Sequence, residues 1–166
     1  MSKRILIIYA SRNSSTAETA DMIGHELSMQ QENTIEVVSV KRAKYVTTFD
    51  SIILGTAIRM GRPLPEMTSF VKSYKPILAN KKVALFGLCM ALKDPTAENI
   101  KTSLTYLDPL RAHITPVETH LFAGKVNLTR LGFAFRMILK MAKTPEGDFR
   151  KFDEIKAWAE ELSQKL

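Results

Sequence analysis

Three short aliphatic runs, Arg4-Ile5-Leu6-Ile7-Ile8-Tyr9, Phe49-Asp50-Ser51-Ile52-Ile53-Leu54-Gly55 and Lys82-Val83-Ala84-Leu85-Phe86-Gly87-Leu88, lack a polar face in their cores. A strand of that kind must be covered on both sides, as in a parallel sheet held between helical layers. The intervening segments supply the helices. Between Thr16 and Gln30, Ala20, Ile23 and Leu27 fall three and four residues apart, an amphipathic spacing. Met67, Phe70, Val71, Tyr74 and Leu78 repeat that spacing just after Pro63 and Pro65. Asp94-Pro95 reads as a cap with proline at the first helical position, ahead of a stripe of Ala97, Ile100, Leu104 and Leu107. The last helix starts near Asp148 with the stripe Phe152, Ile155, Ala159 and Leu162, and Trp158 lies beside it as a packing residue. Thr34 to Val38 reads as a partly polar edge strand. A final strand lies between Ala112 and Phe122, where Pro116 is tolerated only at an edge. This alternation predicts a three-layer α/β sandwich with about five parallel strands.

At 166 residues the chain is expected to form one domain, residues 1–166, large enough to bury its own core. Cys89 is the only cysteine, which excludes an intramolecular disulfide and any cysteine-rich metal site. His25, His113 and His120 are scattered, so no metal centre is expected. No apolar run is long enough to span a bilayer and no signal-peptide pattern opens the chain, so a reducing, cytoplasmic setting is expected. The formal charge is +7, from 24 Lys and Arg against 17 Asp and Glu, which favours an anionic partner. Outside residues 120–145 the basic residues are interspersed with acids and no nucleic-acid motif occurs, which argues against nucleic acid.

Open α/β sheets bind ligands beyond the carboxyl ends of their strands, where the strand order reverses. Three segments therefore matter. Residues 10–16 carry four hydroxyl side chains, an Asn and an Arg into a helix start, a setting that suits a phosphate. Capping of that helix by Ser14 or Ser15 accounts for the same residues without a ligand. Neither a Walker pattern nor Gly-x-Gly-x-x-Gly is present, which argues against a nucleotide triphosphatase and a dinucleotide enzyme. Residues 55–63 read as a loop bracketed by Gly55, Gly61 and Pro63, open to close backbone approach. Residues 88–93 follow a core strand with apolar tips. Cys89 there reads either as a small buried hydrophobe or as a redox thiol. Two apolar-tipped segments beside a phosphate-like loop suit a flat, mostly apolar ring with a phosphate tail.

At these segments the chain resembles the flavodoxin family. Ser11-Arg12-Asn13-Ser14-Ser15-Thr16 matches the family's hydroxyl-rich phosphate loop, with Ser14 or Ser15 in place of its usual glycine. Residues 49–56 match its third strand and the start of the ring-binding loop. Gly55-x-x-Ile58-Arg59-x-Gly61 is most similar to the flavodoxin-type, quinone-dependent protoporphyrinogen oxidases, which also carry a basic, apolar segment before the last helix. The resemblance implies a five-stranded flavodoxin-like sheet of order 2-1-3-4-5, FMN as cofactor and electron transfer. It implies FMN contacts at Ser11, Arg12, Asn13, Ser14, Ser15 and Thr16, at Thr56, Ala57, Ile58, Arg59, Met60 and Gly61, and at Leu88, Cys89, Met90 and Ala91. Two features depart from electron-carrier flavodoxins: the second and third segments carry no aromatic residue, and the chain is basic.

The insertion spans about residues 125–147. Its basic residues are Lys125, Arg130, Arg136, Lys140 and Lys143. On a continuous helix, Lys125, Arg136, Lys140 and Lys143 would fall within about 60° of one another. Almost all the remaining circumference from Leu128 to Lys143 is apolar, more than one packing face uses. That surplus fits a membrane surface, a partner subunit in a homodimer or a lid over the flavin. Packing of both faces inside the domain would also absorb it. The leading expectation is an FMN oxidoreductase passing electrons from an organic, porphyrinogen-like substrate to a quinone at the inner face of the membrane. Arg59 and Arg62 are its candidate substrate contacts, and no side-chain general base stands out. The alternative is a flavodoxin-type electron carrier without its own substrate. Arg62 also reads as an exposed guanidinium with no ligand.

Overall fold

Neighbouring residues of the first strand face opposite ways, and each side has its own hydrophobic cluster. Leu6 and Ile8 join one, Ile5 and Ile7 the other, all essentially inaccessible to solvent. The computed structural model describes residues 2–130, 132–143 and 145–166, so Leu131 and Thr144 of the insertion lie outside the described residues. In chain order the elements are β1 (Arg4–Ala10), α1 (Ser15–Gln30), β2 (Thr34–Ser39), β3 (Ser51–Arg59), β4 (Arg62–Pro63), α2 (Pro65–Leu78) and β5 (Lys82–Leu88). Then come α3 (Ala97–Thr105), α4 (Asp108–Arg111), β6 (Glu118–Phe122), β7 (Lys125–Val126), α5 (Phe133–Met141), β8 (Gly147–Asp148) and α6 (Phe152–Ser163). The main sheet runs β2-β1-β3-β5-β6, every one of these pairs parallel. With the two-residue β4 set aside, this is the expected 2-1-3-4-5 order of a flavodoxin-like fold.

Met67, Phe70 and Val71 of α2 with Leu110 of α4 cover one face of the sheet. Ala20, Ile23 and Leu27 of α1 cover the other with Ile155, Trp158 and Leu162 of α6. In the centre of this second layer Phe86 lies across Gly55. A Cβ at Gly55 would stand 2.1 Å from the Phe86 ring. Phe86 and Phe122 then each meet Trp158 edge to face, with Phe86 and Trp158 centroids 6.1 Å apart, and are tilted against each other.

Four local expectations need correction. Residues 55–63 are not a loop: β3 continues to Arg59 and turns back into β4, with Ile58 opposite Pro63 and Arg59 opposite Arg62. Met60 (φ 50°) and Gly61 (φ 72°) occupy the left-handed pair of positions that a two-residue hairpin needs. The cap of α3 is Thr96, whose hydroxyl accepts from the Asn99 N–H at 3.1 Å; Asp94 and Pro95 precede it. Phe152 is half exposed while Trp158 fills the core beside Ile155. Lys125 belongs to β7, so it does not share a helical face with Arg136, Lys140 and Lys143.

Gly55→Ala should cost about 2–3 kcal/mol in urea unfolding, because a rigid ring and two strands must separate to admit one methyl group. A loss below 0.5 kcal/mol would show that Phe86 moves freely.

Candidate functional site

The first segment leaves the carboxyl end of β1 and enters α1 through Ser14, the N-cap, at φ 68°. That left-handed conformation costs least at glycine, and of the two serines offered for a glycine position it is Ser14 that adopts it. The Ser14 hydroxyl donates to Glu18 at 3.0 Å. Ser11 Oγ and Thr16 Oγ1 are buried and have no hydrogen-bond partner within the protein. Buried hydroxyls are nearly always satisfied, and these two stand unsatisfied on either side of Ser14.

Behind this segment lies Arg150, whose side chain is only 4% exposed. It donates to both carboxylate oxygens of Asp148 at 2.9 and 2.8 Å, to Glu18 at 2.8 Å and to the Ser15 carbonyl at 3.2 Å. Lys125 stands 3.7 Å from Glu18 on the same side. The Arg150 hydrogen bonds hold the Asp148 carboxyl below its ordinary range. Burial pushes Glu18 up, but its bonds from Arg150 and Ser14 outweigh that and leave it low. Asp148 in turn raises the Arg150 pKa.

A cleft of about 280 Å³ opens beside the first segment. Ser11, Arg12, Asn13 and Ser15 line one end; Ala57, Ile58, Arg59 and Met60 line the β3 side; Leu88 and Met90 close the β5 side. Other predicted residues stand outside its lining. Thr16 is buried behind it, and Thr56 is buried with its hydroxyl accepting from the Leu64 N–H at 3.1 Å, which braces the β3–β4 hairpin. Gly61 forms the hairpin turn against Tyr106, while Arg62 and Ala91 are exposed. Cys89 is buried with Sγ 3.7 Å from Ser103 Oγ, the small-hydrophobe alternative rather than an accessible thiol. Arg12 pairs with Glu66 in the first turn of α2, and that hydrogen bond depresses the Glu66 pKa. Burial, then the nearby Arg12 charge, lower the Arg59 pKa.

The sequence reading missed Gly124, Lys125 and Val126, which complete the cleft after β6; Phe135, Ile138 and Leu139 of α5, which roof it, belong to the apolar segment for which a lid over the flavin was one alternative. The loop after β6 also lies at a strand carboxyl end, and residues 135, 138 and 139 have helical spacing, so both signals were present. Nothing local marked Arg150. Among the described residues no cluster of three or more His, Cys, Asp or Glu could hold a metal, and no helix is long and apolar enough to cross a membrane.

Replacing Arg150 by Met should lower stability by roughly 2 kcal/mol at pH 7 through its lost charged hydrogen bonds. Because Asp148 and Glu18 have depressed pKa values, their contribution is complete above the ordinary carboxylate range and fades as pH falls below about 4. Urea unfolding at pH 7 and pH 3.5 should therefore show the gap between wild type and variant narrowing in acid. A pH-independent gap would contradict this.

The molecule matches flavodoxins in shape. It aligns with flavodoxin 1 from Bacillus cereus at 20% identity and TM-score 0.64, over 98% of this chain and 99% of that one. The flavodoxin from Fusobacterium nucleatum, solved with flavin mononucleotide bound, aligns at 19% identity and TM-score 0.59, over 99% of both chains. A flavodoxin from the domain Archaea gives 16% identity and TM-score 0.60, over 98% of this chain and 97% of that one. No curated protein matches by sequence. A family profile described as a flavodoxin domain matches residues 6–153, from within β1 to the start of α6, and on that match the chain belongs to the flavodoxin family.

Proposed function

We propose that the chain binds FMN, with its phosphate held by residues 11–16 and its ring system in the adjoining cleft, and works in electron transfer. Flavodoxins bind FMN and transfer electrons to redox partners. The observation that carries the reading here is the pair of buried, unpartnered hydroxyls, Ser11 Oγ and Thr16 Oγ1, at the N-terminus of α1. A phosphate monoester offers acceptors to both, and the helix N-terminus favours its charge. The apolar side chains of Ala57, Ile58, Leu88 and Met90 suit a flat ring beside it.

Bound FMN supplies one- and two-electron redox chemistry. The protein's part is to hold the β3–β4 hairpin through Thr56 and to set the charge at the cleft mouth with Arg12 and Arg59. The surroundings favour an apolar or anionic partner over a basic one. Arg59 lines the cleft and Arg62 is exposed on the adjoining β4, so together they suit substrate carboxylates. On this reading an anionic, porphyrinogen-like substrate gives two electrons and two protons to a quinone, which leaves as quinol. The outer side of α5 supports the quinone assignment. Phe133 (75% exposed) and Met141 (81%) share α5 with Lys140, and Lys143 follows it, a pattern that binds anionic membrane surfaces where quinones dissolve. The coarser reading, a carrier without its own substrate, needs only the FMN site.

Titration with FMN, followed by visible absorbance and flavin fluorescence, tests the core of this. Ser11→Ala and Thr16→Val should each weaken FMN about tenfold and leave riboflavin, which lacks the phosphate, unchanged. Absence of FMN binding at micromolar concentration would end the flavin reading. Vesicles containing anionic lipid should co-sediment the protein, and Phe133→Ser with Met141→Ser should abolish this while FMN binding persists. Equal partitioning of wild type and variant would remove the membrane assignment.

A further inference from the structure

We infer that Phe135, carried by the inserted helix α5, is the aromatic wall against which a flavin ring packs in this cleft. The inference rests on the FMN reading above and names a residue for it outside the three strand-end segments.

Apart from Arg59, the cleft's side chains at the ends of β3 and β5 are aliphatic or thioether: Ala57, Ile58, Leu88 and Met90. Phe135 is the one aromatic side chain among its described lining residues. Its ring is half-buried and fixed from one side, because the Arg59 guanidinium carbon sits 4.3 Å from its centroid. A flat heteroaromatic ring gains more from an aromatic neighbour than from an aliphatic one, since offset or edge-to-face contacts add to the apolar area removed from water.

The placement of α5 points the same way. None of its residues is buried, and its side chains belong to neither hydrophobic cluster of the core. At about 100° per residue, Phe135, Ile138 and Leu139 span roughly 100° of the helix, and all three line the cleft. Phe133, Met137 and Met141 fall on a separate exposed arc of about 80°. The inner arc thus faces a cavity rather than packed side chains. Apolar surface so placed is covered when a ring of matching chemistry enters. Arg59 belongs to the same arrangement: it lines the cleft, and its planar guanidinium lies on the ring that would meet the flavin.

The test compares FMN and riboflavin binding to the full chain as wild type, Phe135→Ala, Phe135→Trp and Thr16→Val. Phe135→Ala should weaken both flavins by about tenfold and leave more flavin fluorescence in the saturated complex. Phe135→Trp should restore affinity and quenching, and Thr16→Val should weaken FMN alone. Far-UV circular dichroism and the urea midpoint should not change in Phe135→Ala, since the residue lies outside both core clusters. If Phe135→Ala binds both flavins like wild type with the same quenching, the inference fails while the FMN reading stands. If wild type binds neither flavin, the FMN reading fails and this inference with it.

Discussion

A guanidinium almost wholly removed from water needs anionic partners, and for Arg150 these come from two distant parts of the chain. Asp148 belongs to the short β7–β8 ribbon, Glu18 to the first turn of α1. The ion cluster therefore joins the end of the insertion to the start of the first helix. The chain is braced beside this cluster, where Phe149 N–H donates to the Gly124 carbonyl at 3.1 Å. The segment after β1, the turn after β6 and the approach to α6 are thus held in one arrangement. The cleft lies among them. Sheet packing sets the height of the strand ends, and this charge cluster ties the first segment to the base of the insertion.

What the sequence revealed follows from which interactions are local. β1, β5 and α1 were legible because apolar spacing reports burial directly, and Ile7, Ala84 and Ile23 all lie in the core. The extension of β3 beyond Gly55 was not legible. Glycine ordinarily weakens a strand, and here its reason is a ring from β5 lying over it. The hairpin turn was hidden by Met60, a side chain rarely found at φ 50°. The hydroxyl-rich segment after β1 stood out by residue type alone, but its two unpartnered hydroxyls are a property of packing. Arg150 was not legible at all, and Phe135 only as part of an apolar segment that a lid over the flavin would use. Each acts across more than 70 residues of chain, on Glu18 and on Arg59 respectively, and no pattern within a helix or strand encodes such a meeting.

The two sides of the cleft also differ in how firmly they are held. Its floor comes from strand ends continuous with side chains such as Ile8, Leu54 and Leu85, which are 0–1% exposed. Its roof is a nine-residue helix with no buried side chain. Local opening free energies follow such differences, so the roof separates from the floor at far less cost than the sheet unfolds. Ligand entry then needs no disturbance of the core.

Ser14 carries a consequence of another kind. A non-glycine residue in the left-handed region raises the energy of that backbone by roughly 1–2 kcal/mol. Its hydroxyl is tied to Glu18, and Glu18 to Arg150, so the strained conformation is locked by a bonded chain ending in a buried charge. The segment is shaped before any phosphate arrives. Its ordering entropy is lost during folding, so on the FMN reading proposed above a phosphate would meet a segment already shaped.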